Sequence, residues 1–298
     1  MTPQFSYAEL SQLKIHYAHS DNKDKNKKPL LLCLHGFPEF WRTWRHQIQH
    51  LNHDYFVVAP DLRGYNLSDK PQSLNDYCIE HLVNDALELI DHLNYQAAYL
   101  VGHDWGGNVA WALASLHPTT IKKLTIINSP HPRIFQQLLG NNKQQIAASS
   151  YFLKFLNHEA EEKLSRNNYD LLWRFGFNEL VEKGVFTDAD MSAHIEAWSQ
   201  DGALNAMLAL YRAANFQVAN TNEIPKQFEL NNILANQVTV PTQVIWGLDD
   251  TALTPACLYG LENYVTTLRI RRVEKAGHGI IHEFPELINQ VIRDFMKP

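Results

Sequence analysis

The pentapeptide Gly102-His103-Asp104-Trp105-Gly106 sets a carboxylate inside a G-x-D-x-G frame. The apolar run Tyr99-Leu100-Val101 leads into it, and "GGNVAWALASLHP" leads away as a helix that stops near Pro118. In a strand-turn-helix context, G-x-S-x-G lifts a serine clear of the backbone as a nucleophile. Here aspartate takes that place. The glycines permit the strained turn, because a Cβ at those positions would clash. The start of the next helix favours an anion and supplies backbone N–H groups. A carboxylate, with an ordinary pKa of ~3.9, is already ionised at neutral pH. It can therefore attack a saturated carbon directly and form an alkyl ester with the protein. The plain alternative is an N-cap aspartate that only starts a helix.

An ester of that kind must be hydrolysed, which calls for a histidine and an acid to orient it. In this topology the chain order is nucleophile, acid, histidine. "WGLDD" (246–250) offers Asp249 and Asp250 after one late apolar run, and "KAGHG" (275–279) offers His278 after the next. The chain has 15 histidines, so the specific feature of His278 is its Gly-flanked loop after the last strand. His282 lies four residues on, but the pair lacks Cys or carboxylate partners at metal-binding spacing, so no metal is expected. "HGFPEFW" (35–41) follows the first buried run. An oxyanion hole in this architecture uses one N–H from that loop and one from the residue after the nucleophile. The amides of Phe37 and Trp105 fill those roles, although as side chains both residues can simply pack.

These groups need a scaffold, and the hydropathy pattern supplies one. Short apolar runs at 29–36, 55–61, 97–104 and 123–129 read as strands buried on both faces, and 242–250 and 268–278 as two later strands. Between the second and third, Ile79, Leu82, Val83, Ala86, Leu87, Ile90 and Leu93 repeat at helical spacing. Residues 285–296 close the chain as an amphipathic helix, with Leu287, Ile288, Val291, Ile292 and Phe295 on one face. This βαβ grammar predicts an α/β fold, a mostly parallel central sheet flanked by helices. Residues 133–235 lack a convincing strand and are rich in aromatics, among them Phe135, Tyr151, Phe152, Phe155, Tyr169, Trp173, Phe175, Trp198, Tyr211 and Phe216. They read as a helical cap inserted into a core made of 1–132 and 236–298. Such a cap would lie over the carboxyl ends of the strands, where open α/β sheets bind ligands.

Bulk composition narrows the rest. A chain of 298 residues, 45% hydrophobic and 19% charged, reads as globular. Its net charge of -6 and lack of a basic stripe argue against nucleic acid. The one dense basic run, Lys23 to Lys28, reads as a solvated turn. Three cysteines, Cys33, Cys78 and Cys257, make no disulfide framework. No secretory signal and no apolar stretch near ~18 residues is evident. A cytoplasmic monomer or homodimer, acting on a small molecule and away from membranes, is expected.

Taken together, "HGFPE" (35–39), "DLRGY" (61–65), "GHDWGG" (102–107) and "GHGIIHEFP" (277–285) resemble the α/β-hydrolase fold and, within it, the soluble epoxide hydrolases. The resemblance spans essentially the whole chain and is looser in the cap. It implies Asp250, through the family pattern W-G-x-x-D, as the acid partner of His278. It also implies two cap tyrosines that grip the epoxide oxygen. "YRAAN" (211–215) gives Tyr211 and "SSYFLKF" (149–155) gives Tyr151, with Tyr169 as the fallback. A tryptophan that often precedes the first tyrosine is Ser150 here. The implied substrate-binding set is Phe37, Trp105, Tyr151 and Tyr211, with no cofactor, and the implied product is a vicinal diol.

The nearest rival is a haloalkane or haloacetate dehalogenase of the same fold. Trp105 suits one halide-binding position of the haloalkane enzymes, but Phe37 stands where one branch has Asn. Haloacetate enzymes place arginine after the nucleophile, where this chain has Trp105. A non-enzymatic ligand-binding member of the fold is the other rival, since fold alone does not fix function. Such proteins usually lose a catalytic residue, whereas Asp104, Asp250 and His278 are all present.

Overall fold

The computed structural model describes residues 2–21, 27–214 and 237–297. Residues 215–236 of the expected cap, including Phe216, and most of the Lys23–Lys28 run lie outside the described residues. Eight strands form one sheet in the order β1-β2-β4-β3-β5-β6-β7-β8. The six from β3 onward are parallel: β3 (Leu30–Leu34), β4 (Phe56–Pro60), β5 (Ala98–His103), β6 (Ile121–Ile127), β7 (Thr242–Gly247) and β8 (Leu268–Val273). Strands β3, β4, β5 and β7 are buried along their whole length, because helices cover both faces of the sheet.

The pleat divides their side chains between two cores. Leu30, Leu32 and Leu34 face a core shared with α2 (Ile79–His92) and α3 (Trp105–Leu116). Leu31 and Cys33 face the opposite core, with Ile48 of α1 (Arg45–Leu51) and Ile288 and Ile292 of α11 (Pro285–Met296). In α2, Leu89 is buried and Leu87 only partly so, which shifts the predicted apolar face by a fraction of a turn.

The hydropathy pattern did not reveal two N-terminal strands, β1 (Gln4–Glu9) and β2 (Lys14–His19), which add antiparallel to the edge at β4. Strand β1 is mostly exposed, and β2 buries polar residues. His16 is buried because its Nδ1 sits 2.6 Å from Asp61 Oδ2, so a satisfied polar group occupies a place where periodicity looks for an apolar one.

Between β6 and β7 the described chain is helical, without a strand: α4 (Pro132–Asn141), α5 (Lys143–Ala148), α6 (Tyr151–Phe155), α7 (Ala160–Glu182), α8 (Asp188–Trp198) and α9 (Ala203–Ala214). Helix α7 is broken at 166–169, where Asn167, Asn168 and Tyr169 take φ of 51°, 57° and 63°. Asparagine tolerates the left-handed region and tyrosine does not, so tertiary contacts must hold Tyr169 there. Its ring lies 5.8 Å from that of Trp198, and its hydroxyl donates to the Trp198 carbonyl at 3.2 Å. Short α10 (Ile280–Glu283) follows β8.

Candidate active site

Four loops at the carboxyl ends of parallel strands converge. Asp104 follows β5 at φ 49° and ψ −120°, outside the ordinary regions for a side-chain-bearing residue. Strain of this kind costs about 1–3 kcal/mol and persists only where the surroundings impose it. Two glycines make the approach possible. A Cβ on Gly106 would run into the Leu34 carbonyl, and one on Gly36 into the Asp104 side chain itself. The loop after β3 therefore comes up against the carboxylate, and the Phe37 N–H donates to Asp104 Oδ1 at 2.7 Å. Trp105 is the first residue of α3, so its amide lies at the positive end of that helix beside Asp104.

Asp250 follows β7, is fully enclosed, and is saturated with donors. Oδ1 accepts the amides of Ala252 (2.9 Å) and Leu253 (2.8 Å), while Oδ2 accepts Asn128 Nδ2 (2.6 Å) and His278 Nδ1 (2.8 Å). Asp249 is exposed, so of the two candidates Asp250 is the one that meets the histidine. His278 follows β8, and its Nε2 stands 3.8 Å from Asp104 Oδ2. Burial alone would lower the His278 pKa. The charge and hydrogen bond of Asp250, helped by the charge of Asp104, reverse this and push it up to about 9. Burial would likewise raise the Asp250 pKa, and His278 with the amide and Asn128 donors brings it below the ordinary carboxylate value instead.

Tyr151 opens α6 and Tyr211 lies near the end of α9. Their rings are 6.2 Å apart, edge to face. The Tyr211 ring also sits 5.0 Å from that of Trp105 and 5.1 Å from that of Phe37. Burial, and then charges that include Asp104, raise both phenols well above their ordinary value, so both stay protonated. Tyr169, the fallback for the first tyrosine, turns its hydroxyl to Trp198 instead.

Several supporting residues escaped sequence reasoning. Asn128, in the positive-φ position after β6, bridges Asp250 and the Gly247 amide. The signal available was only an Asn-Ser pair ending an apolar run. Glu39, in the quoted "HGFPE", is buried with Oε1 2.5 Å from His282 Nε2 and Oε2 3.4 Å from His103 Nδ1. Burial would raise its pKa, but these two imidazoles hold it well below the ordinary range. His103 lies with Nε2 3.1 Å from the His278 carbonyl. His282 thus serves a buried carboxylate, and no group of three metal-ligating side chains gathers among the described residues. Nor is any described helix long and apolar enough to cross a membrane.

Known proteins resemble this chain over most of its length. A family model of the alpha/beta hydrolase fold matches residues 29–285. An AB hydrolase superfamily protein of Bacillus subtilis, YfhM, is 37% identical over 98% of this chain and 97% of its own length. Human epoxide hydrolase 4 is 32% identical over 96% of this chain and 76% of its own. The crystal structure of an epoxide hydrolase from Bacillus megaterium in complex with an inhibitor is 33% identical, with a TM-score of 0.86 over 98% of this chain and 99% of that one. Fold, strand order and relatives agree, and the chain belongs to the epoxide hydrolase family of the α/β-hydrolase superfamily.

Proposed function

We propose that this protein opens epoxides to vicinal diols in two steps through an ester on Asp104. The observation that carries the reading is the position of Asp104 between two kinds of group. On one side stand the Phe37 amide donor and the His278–Asp250 pair. On the other, the rings of Phe37 and Trp105, which adjoin Asp104 in space and in sequence respectively, carry the Tyr211 ring, with Tyr151 beside it. Oδ1 is already held by the Phe37 amide, so Oδ2 is the attacking oxygen. It bonds to one epoxide carbon as that carbon–oxygen bond breaks. The epoxide oxygen takes a proton from Tyr151 or Tyr211. The resulting ester has lost the charge of Asp104, one of the anions that raise His278, so the imidazole shifts toward the neutral base the second step needs.

His278 then removes a proton from water, which attacks the Asp104 carbonyl carbon. Asp250 orients the imidazole and stabilises its cation. The oxyanion forms at Oδ1 against the Phe37 and Trp105 amides, donors typically worth ~2.7–4 kcal/mol each. Collapse breaks the ester bond, the departing diol oxygen takes the proton held by the His278 imidazolium, and the proton left on the Asp104 carboxyl passes through solvent to the tyrosinate, so every group is restored. Epoxide plus water gives diol, and no step calls on a metal or organic cofactor. The described part of the expected cap 133–235, residues 133–214, acts as the cap over the described residues of a core of 1–132 and 236–298. A cytoplasmic setting suits the three unpaired cysteines.

Dehalogenation is the weaker reading, because the Trp105 ring that would hold a halide packs edge-on against the Tyr211 ring at 5.0 Å. The test is His278→Gln incubated with an epoxide. We expect an adduct on Asp104 with the mass of the epoxide, measured by intact-mass and peptide mass spectrometry. Normal turnover by the variant, or an adduct on another residue, would sink the two-step scheme.

A further inference from the structure

The loop that carries His278 has little stiffness of its own. Gly277 and Gly279 flank the histidine, and glycine leaves the backbone free to turn. Yet the peptide groups on both sides of His278 are tied by side chains. The Gly277 N–H donates to Glu283 Oε1 at 2.9 Å, and the His278 carbonyl lies 3.1 Å from His103 Nε2. Glu283 is the last residue of α10 and reaches back six positions to make this bond. Its side chain is only 4% exposed, and its second oxygen accepts Lys183 Nζ at 2.5 Å. Lys183 sits just past the end of α7, and it also donates to Glu179 Oε1 at 2.6 Å. A Cβ on Gly277 would run into the Glu179 carboxylate, and one on Gly279 into the Leu180 side chain. The last turn of α7 therefore rests on the His278 loop at three points, Gly277, Gly279 and Glu283.

We propose that Glu283 is a positioning residue for His278, and that Lys183 makes this positioning depend on the seating of α7; this deepens the epoxide hydrolase reading and rests on it. His278 must serve two partners at once. Its Nδ1 meets Asp250 at 2.8 Å, and its Nε2 faces Asp104, where the water must be activated. Asp250 fixes one ring atom, and the backbone tethers fix where the ring starts. A misplacement of about 1 Å can cost about 10²-fold in rate. Attack by Asp104 does not use His278 as a base, so the tether bears on the second step. A buried carboxylate is costly unless it is both paired and hydrogen-bonded. Glu283 meets that condition only by joining the Gly277 amide on one side to Lys183 on the other. Seating α7 thus completes the pair that holds the loop.

The test compares the full-length protein with Glu283→Ala, Glu283→Gln and Lys183→Met, using styrene oxide in single-turnover and steady-state kinetics. In Glu283→Ala the Asp104 ester should form within about twofold of the wild-type rate and hydrolyse about ten- to a hundredfold more slowly. With hydrolysis limiting, kcat and KM fall together and kcat/KM stays nearly unchanged. A variant that is merely less folded would lose kcat at constant KM. Glutamine keeps a carbonyl for the Gly277 N–H, so Glu283→Gln should hydrolyse the ester within about threefold of wild type. Lys183→Met should slow hydrolysis about three- to tenfold, yet add nothing in the Glu283→Ala background, because it acts through Glu283. Equal slowing of both steps, no rescue by glutamine, no effect of Lys183→Met, or additive effects of the two changes each overturn the assignment. Hydrogen exchange of the Gly277 amide, measured by NMR, reads the tether without turnover. It should quicken about tenfold or more in Glu283→Ala and stay near wild type in Glu283→Gln. If the wild type opens no epoxide, the proposed reaction falls and amide exchange alone decides on Glu283: the quickened exchange supports its hold on the loop, and unchanged exchange overturns it.

Discussion

The two halves of the site are built by different means. Below the substrate position, polar groups are fixed by hydrogen bonds from rigid strand ends. Asp250 takes four donors, and Asp104 is held by the Phe37 amide in a backbone conformation that few residues adopt. Above it, Tyr151 and Tyr211 are held chiefly by ring packing among Phe37, Phe152, Phe155 and Phe175. In the proposed reaction charge develops and disappears at the lower groups, and preorganised dipoles are most effective there because they need not reorganise. In that reaction the upper groups would supply a proton and shape, which ring contacts can position with more latitude. The lower half therefore reads as the part set by chemistry and the upper half as the part set by substrate.

This contrast can be broken experimentally, and the lower half gives the largest expected effect. Asp250→Asn keeps the size of the side chain but disturbs both the tautomer and the stabilisation of His278. A loss in kcat on the order of 10⁴ is expected, by analogy with the same change in a serine-protease triad. Single-turnover kinetics should show the ester still forming and its hydrolysis stalled. If ester formation slows equally, the division of labour between Asp104 and His278 is wrong.

The upper half should be more forgiving. Tyr211→Phe retains the ring and removes one proton donor, while Tyr151 remains beside it. A rate loss of about 10² is expected, concentrated in ester formation, with Tm little changed. A loss as large as that of Asp250→Asn would erase the contrast, because one phenol would then be as indispensable as the charge network.

The smallest effect lies at the joint between the halves. Trp198 of α8 donates its indole N–H to the Pro38 carbonyl at 2.6 Å, beside the Phe37 amide. Arg42, from the core, reaches Asp190 in the same helix at 3.0 Å. Trp198→Phe leaves a buried carbonyl without its donor, so a stability loss of about 1–3 kcal/mol is expected by thermal or denaturant unfolding. The rate should fall only a few-fold. A fall comparable to that of Asp250→Asn would make the upper helices part of the lower network.

Legibility in the sequence followed the same division. The parallel strands were readable because burial on both faces turns them into unbroken apolar runs. Asp104 was readable because a carboxylate flanked by glycines at a strand-to-helix corner has few purely structural uses. Strands β1 and β2 were not readable, since exposure and buried histidines break the alternation. Glu39 was visible only as one letter of a motif. That it faces His103 and His282 depends on residues 64 and 243 positions away, and no local pattern encodes such a pairing.

The sequence by itself determined the parallel scaffold, the exposed corner that carries Asp104 and the loops carrying Phe37 and His278, because each rests on local geometry: a turn that needs glycine, a strand that needs apolar residues. The resemblance already pointed to Asp250 and Tyr151, and only the tertiary structure brings them to their partners. Asp250 rather than Asp249 lies on His278, and Tyr151 rather than Tyr169 stands beside Tyr211. It alone also set Glu283 between the Gly277 amide and Lys183. Those choices depend on how distant segments pack, and packing distances are a property of the folded chain rather than of any stretch of it.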